Sequence, residues 1–158
     1  PGYILIKLNN LQEKAMISKL YEASRAGVKM DMIVRSICCL APGVPGQSEN
    51  ITVRRIVDRY LEHARIFVFG NAGDPEYYMG SADWMNRNLH SRIEVVFPVL
   101  NSELKKELQR TLDLQLQCSR KAVMLKADTV SGNCENVPVA GEGGAAQETI
   151  YKLLAVSF

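Results

Sequence analysis

Hydrophobic and polar positions along the chain switch between two periods. Tyr3-Ile4-Leu5-Ile6-Lys7-Leu8 is a near-continuous apolar run that predicts a core strand almost from the first residue. Leu11 to Ala26 then carries Met16, Leu20 and Ala23 at helical spacing, with Asn9 or Asn10 as the cap and Gly27 as the stop. Val28, Met30 and Met32 alternate with Lys29 and Asp31 before Ile33-Val34-Arg35, which predicts a second strand. Strand, helix and strand together read as one right-handed crossover unit of a largely parallel sheet. Arg35 then stands at a strand's carboxyl end, where open α/β sheets place their ligands.

The punctuated stretch Ala41 to Ser48, rich in proline and glycine, predicts a loop, and Ile51 to Glu62 is an apolar and basic segment of undecided type. Ala64 to Phe69 predicts a strand stopped by Gly70-Asn71-Ala72-Gly73, and Glu76 to Met79 completes a hairpin. Ile93 to Phe97 predicts a further strand. Asn101 or Ser102 then caps a helix with Leu104, Leu108, Leu112 and Leu116 four residues apart. The glycine-rich stretch from Ser131 to Ala146 reads as flexible, followed by a short helix from Gln147 to Leu154. The class expected is α/β, with one domain body over 1–126 and a flexible segment plus helix of the same domain over 127–158.

Composition narrows the function classes. Among 158 residues, 47% hydrophobic and 23% charged is an ordinary globular balance that excludes disorder and collagen. The formal charge of +2 argues against a general electrostatic hold on nucleic acid, so none is expected as a partner. No apolar run reaches the roughly 20 residues of a membrane span and no signal peptide is visible, so a cytoplasmic location is expected. The chain opens on Pro1 directly before a core strand, which reads as a piece of something longer. Cys38, Cys39, Cys118 and Cys134 form no C-x-x-C pair, and free thiols are the simpler reading.

Candidate chemistry lies in the distribution of cations. Arg35, Arg54, Arg55, Arg59, Arg65, Arg87 and Arg92 follow one another with no lysine between them, although the chain holds nine lysines. Guanidinium groups match phosphate and carboxylate oxygens in paired fashion. Six acids share the stretch, so for any single arginine a surface ion pair is the better reading, while those that end strands near loops suit an oxyanion site. His63 precedes Arg65 by two residues at a strand's entrance, which would aim both side chains at one ligand. A histidine hydrogen-bonded at a sheet edge is the plainer alternative. His90-Ser91-Arg92 repeats the same H-x-R spacing, so the tripeptide alone is weak. Two histidines without a clustered Cys/His pattern exclude a zinc site, and neither glycine-rich turn has a nucleotide-cradle order. Trp84 reads as a core or rim aromatic.

Longer motifs carry a resemblance. Ile33-Val34-Arg35-Ser36-Ile37-Cys38-Cys39-Leu40-Ala41-Pro42-Gly43-Val44-Pro45-Gly46, then Ser48 to Ile51, Leu61-Glu62-His63-Ala64-Arg65-Ile66 and Ser81-Ala82-Asp83-Trp84-Met85-Asn86-Arg87-Asn88 closely resemble the C-terminal catalytic region of bacterial polyphosphate kinases. The likeness spans about Ile4 to Leu125, taking in Lys7-Leu8-Asn9 and Arg92-Ile93-Glu94-Val95. It implies a phospholipase D-like mixed, largely parallel sheet flanked by helices. It further implies reversible transfer of the terminal phosphate of ATP to polyphosphate through a phosphohistidine, with magnesium present. His63-Ala64-Arg65 and Gly80-Ser81-Ala82-Asp83 only approximate the H-x-K and G-S-x-N of the phospholipase D superfamily, which disfavours lipase or nuclease chemistry.

Carried over residue by residue, the resemblance makes His63 the second active-site histidine, near the transferred phosphate, and has Arg35 and Arg92 clasp nucleotide phosphates. No metal ligand is assigned in this chain. The phosphorylated histidine and the magnesium-associated arginines are expected in preceding domains of the same protein. ATP or ADP and polyphosphate are the expected partners, with homo-oligomers and peripheral contact with the inner membrane face as further expectations. This chain alone is expected to show no turnover. The alternative is a non-catalytic polyanion-binding module of the phospholipase D superfamily.

Overall fold

A computed structural model describes residues 2–117, 120–128, 134–139 and 145–155. The elements run β1 (Tyr3–Leu8), α1 (Lys14–Arg25), β2 (Lys29–Val34), β3 (Ile51–Ile56), β4 (Ile66–Phe69), β5 (Glu76–Gly80), α2 (Asn86–Ser91), β6 (Val96–Pro98), α3 (Ser102–Gln117), β7 (Ala122–Ala127), β8 (Cys134–Pro138) and α4 (Ala146–Ala155). The strands form one sheet in the order β6-β5-β4-β1-β2-β3-β7-β8. β1, β2 and β3 pair in parallel at its centre, with Leu8 opposite Val34 and Ile33 opposite Arg54. Antiparallel strands extend both flanks, and between β4 and β5 a short connection simply reverses the chain. The expected mixed α/β sheet with its β1-α1-β2 crossover and β4–β5 hairpin is present, but it is not largely parallel: two of its seven strand pairings are parallel and five antiparallel, because only β1, β2 and β3 are joined by crossovers.

Alternation within β1 explains why its apolar run is continuous. Ile6 and Leu8 face Ile17 and Leu20 of α1, while Leu5 faces Leu112 of α3 on the other side. A central strand covered on both faces has few positions left for polar side chains. Each fully buried side chain of the Leu112 type contributes roughly 1.5–3 kcal/mol by leaving water. Trp84 stacks on Phe67 of β4 with ring centroids 5.5 Å apart, which makes it the rim aromatic of the α1 side.

Boundaries differ from the sequence expectation where polar side chains have other work. α1 begins at Lys14, capped by Glu13, whose carboxylate accepts the Met16 N–H at 2.7 Å. Asn9 and Asn10 do not cap it, because residues 10–13 are laced to Trp84 by three backbone hydrogen bonds of 2.7–3.1 Å. Gly27, at φ +85°, closes the helix, with the Val28 N–H donating to the Ala23 carbonyl and its own N–H to Ser24. Ile51 to Ile56 is strand β3, and the expected Ile93–Phe97 strand is confined to Val96–Pro98. Asn101 caps α3, its Oδ1 accepting the N–H groups of Glu103 and Leu104. Of the glycine-rich stretch, residues 134–138 pair with β7 as strand β8, and 131–133 and 140–144 lie outside the described residues. No described helix is long and apolar enough to cross a membrane.

Candidate functional site

The carboxyl ends of β1 and β2, the amino end of β4 and the carboxyl end of β5 lie along one edge of the sheet. Arg35 directly follows β2, and His63 lies in the segment entering β4. Arg92 closes α2 and leads towards β6. In the strand order, β4, which His63 precedes, lies two positions from β2, which Arg35 follows, and two from β6, towards which Arg92 leads. Both His63 and Arg92 are exposed, and Arg35 is half-buried. None of the three side chains makes a hydrogen bond or ion pair among the described residues.

Beside Arg35 the edge opens into a cavity of about 180 Å³, walled by Lys7, Asn9, Asp58, Glu62 and Gln115 among others. Buried Lys7 ion-pairs with Glu62 and donates to Gln115 Oε1 at 2.8 Å. Gln115 in turn donates to Glu62 at 2.8 Å. Gln147 of α4 donates to Glu62 Oε1 at 3.0 Å and to the Tyr60 carbonyl at 2.7 Å, while its own Oε1 accepts the Tyr60 N–H. Residues from β1, α3 and α4 thus clamp the segment immediately before His63, which leaves the imidazole's backbone fixed and its ring free. Burial pulls the Lys7 ammonium below its ordinary value against the support of Glu62. For Glu62, burial pushes the carboxyl up, but Lys7 and the two glutamines prevail and hold it below the usual range. Asn9 Nδ2, on the same wall, is a buried donor with no acceptor among the described residues.

On the other side of His63, buried Asp83 is the hub. It accepts the Asn9 N–H at 2.9 Å, Asn10 Nδ2 at 3.0 Å, and Nε and Nη2 of Arg65 at 3.3 Å each. Burial raises its pKa, but these donors outweigh burial and keep the carboxylate ionised to lower pH than usual. Position 80, the last of β5, calls for glycine because a Cβ there would lie 2.9 Å from the Val95 carbonyl oxygen. The next residue, Ser81, hydrogen-bonds Glu94, which also accepts from Asn88 Nδ2 at 2.7 Å, and together they fix the connection that follows Arg92.

Arg65 is the correction to the sequence reading of this region. It does not share a ligand with His63, because β4 begins only at Ile66 and the i, i+2 rule of strands does not reach back to residue 63. Its guanidinium is committed to Asp83 and to the His63 carbonyl, at 3.1 Å from Nη1. His90 instead lies 3.5 Å from the Glu13 carboxylate, beside the cap of α1. Two other arginines are engaged, though not in the surface ion pairs expected of them: Arg55 donates to the Ser36 carbonyl and Asn136 Oδ1, and Arg59 lies over the Tyr60 ring. The Lys7, Glu62, Gln115 and Gln147 clamp and the Asp83 hub were not singled out by sequence. No sequence signal pairs residues that far apart, although Lys7 and Asp83 both fall within the quoted motifs.

Among the described residues no three His, Cys, Asp or Glu side chains gather as metal ligands. On the cavity wall Glu62 is taken by Lys7, leaving Asp58 as a single carboxylate. This donor set does not fit a resident magnesium ion.

Fold and edge together define a mixed α/β domain that presents arginines and one exposed imidazole at the carboxyl edge of its sheet. The chain belongs to the family described as polyphosphate kinase C-terminal domain 2, which it matches over residues 1–142. Polyphosphate kinase of Thermosynechococcus vestitus is 46% identical over 144 residues, covering 91% of this chain and 20% of that protein. The Staphylococcus haemolyticus polyphosphate kinase is 53% identical over 120 residues, 76% of this chain and 17% of its own length. The crystal structure of polyphosphate kinase from Porphyromonas gingivalis superimposes with a TM-score of 0.90 at 45% identity, covering 99% of this chain and 24% of that one. The chain thus spans at most about a quarter of these relatives. NucT from Helicobacter pylori shares the fold alone, with a TM-score of 0.50 at 10% identity.

Proposed function

We propose that this chain is the second catalytic half of an ATP:polyphosphate phosphotransferase, with His63 acting on the transferred phosphate and Arg35 and Arg92 holding the nucleotide's phosphates. The observation that supports the reading is that the exposed imidazole and two guanidinium groups without ion-pair partners among the described residues belong to the segments at one edge of the sheet. Phosphoryl transfer spreads negative charge over the equatorial oxygens, and fixed cations aimed at them lower the barrier without moving. The γ-phosphoryl group leaves ATP for a histidine of a preceding domain, and ADP departs. The terminal oxygen of polyphosphate then takes the phosphoryl group from that histidine. His63 stabilises or protonates the departing oxygen in the first step and acts in reverse when ATP is made. The buried amide of Asn9 offers a further donor beside Arg35. Ligands outside this chain would hold the magnesium that accompanies the nucleotide, and its charge would offset that of the phosphates.

The preceding domains, a homo-oligomeric assembly and a cytoplasmic location belong to the same reading, as does the inclusion of residues 127–158 in one domain with 1–126. The test is the intact protein incubated with ATP, Mg²⁺ and short polyphosphate. Lengthening of the polymer with stoichiometric ADP release, reversed by excess ADP, is expected. Tight polyphosphate binding without transfer would instead favour a polyanion-holding module.

Arg35→Lys keeps the charge but loses the two-pronged contact. Losing one charged hydrogen bond costs about 1.5–3 kcal/mol, so kcat/KM for ATP is expected to fall roughly 10- to 150-fold. Steady-state kinetics unchanged in both kcat and KM would remove Arg35 from the phosphate clasp.

A further inference from the structure

Three of the four cysteines meet at a second cavity, on the side of the β2–β3 connection away from His63. Cys38, Cys39 and Cys134 line it with Arg55 and Asn136, and all three thiols are free. The sulfurs of Cys38 and Cys134 each lie 3.7 Å from one atom, the Leu40 carbonyl oxygen. They are therefore no farther apart than twice that distance, although one belongs to the β2–β3 connection and the other begins β8. Arg55 holds the two segments in place, donating to Ser36 O at 2.7 Å and to Asn136 Oδ1 at 2.9 Å.

We propose that Cys38 and Cys134 form a reversible disulfide that couples this chain to oxidants of the low-molecular-weight disulfide class. The Cys134 thiolate, on the more open side, displaces one thiolate from the small disulfide and forms a mixed disulfide. The Cys38 thiolate then attacks the Cys134 sulfur and expels the second. Two protein thiols lose two electrons and two protons, and the small disulfide becomes two thiols. Burial pushes the Cys38 thiol up to about 11 and raises that of Cys134, so the bond forms slowly at neutral pH and faster as pH rises.

Closure has a route to the sheet edge. Bonded sulfurs stand about 2.05 Å apart, so the loop or β8 must shift to join them. Residues 35–39 are stitched to residues 8–11 by backbone hydrogen bonds, Arg35 N–H to Leu8, Ser36 N–H to Asn9 and Cys39 N–H to Leu11, at 2.8–3.2 Å. The Ile37 N–H donates to Asn10 Oδ1, and Asn10 Nδ2 reaches Asp83. A pull on Cys38 therefore arrives at Arg35 and at the Asp83 hub. That consequence rests on the phosphate-binding reading of Arg35, whereas the disulfide does not.

The experiment treats the intact protein with oxidised glutathione, alkylates the remaining thiols and maps disulfides by peptide mass spectrometry. A Cys38–Cys134 bond is expected, present in Cys39→Ser, absent in Cys38→Ser and Cys134→Ser, and reversed by dithiothreitol. Cys134 left free, or bonded to Cys39 or Cys118 or only between molecules, overturns the proposal. In the second arm the KM for ATP rises about fivefold or more on oxidation of the wild type but not of Cys134→Ser. An unchanged KM with the bond formed overturns the coupling to Arg35. Should the protein show no kinase turnover, the mapping arm still decides the disulfide.

Discussion

His63→Ala in the intact protein is expected to lower kcat by roughly 10²- to 10⁴-fold, about 3–5 kcal/mol of transition-state stabilisation, with KM for ATP changed only a few-fold. A group that works on the departing oxygen acts mainly in the transition state, so its loss falls on turnover rather than on nucleotide affinity. The structure makes this a clean substitution. The imidazole is exposed, and residue 63 contributes to the fold through its carbonyl, which accepts from Arg65 and survives the change. The melting temperature should therefore match the wild type. A kcat within about threefold of wild type, with an intact fold, would take His63 out of the chemistry.

Asp83→Ala is expected to have the opposite signature, a loss of stability of about 3–5 kcal/mol, because it strands a buried cation. The Arg65 side chain is 15% exposed and would lose both of its contacts with the carboxylate, while the Asn9 N–H would lose its acceptor. Asp83→Asn should cost less, since it keeps an oxygen for Asn9. The hub and the Lys7–Glu62 clamp also make the fold sensitive to acid. The carboxyls of Asp83 and Glu62 titrate lower in the folded chain than in the unfolded one. Their contribution is complete above the unfolded carboxyl values near pH 4 and is lost as pH falls through the folded values. Urea melts at successive pH values should show stability declining below about pH 4, with a shallower decline in Asp83→Ala. Equal midpoints for wild type and Asp83→Ala at pH 7 would show that the hub adds nothing.

The parts of the fold legible in the sequence are those governed by local periodicity. β1, α1 and β2 declare themselves by alternation, helical spacing and the left-handed stop at Gly27, and so does the β4–β5 hairpin. The start of α1 was not legible, because Asn9 and Asn10 are good caps in isolation and only the approach of Asp83 and Trp84 shows why they are used elsewhere. β8 was masked by its glycine-rich surroundings and owes its existence to the free edge of β7. In the candidate site, Arg35 could be placed at a strand end from pattern alone. His63 could not be told from His90 by its tripeptide; only the longer family motif separated them. The Lys7–Glu62 pair and its two glutamines join residues that no local rule connects.

Gln147 ties a late stretch of the sequence to the segment that carries His63. The family match stops at residue 142, yet this glutamine reaches back to both backbone groups of Tyr60 and to Glu62, three residues and one residue ahead of the histidine. A recombinant version trimmed at the limit of the match would keep every motif and lose the tether that steadies them. The contacts around His63 therefore reach beyond the residues that the family match covers.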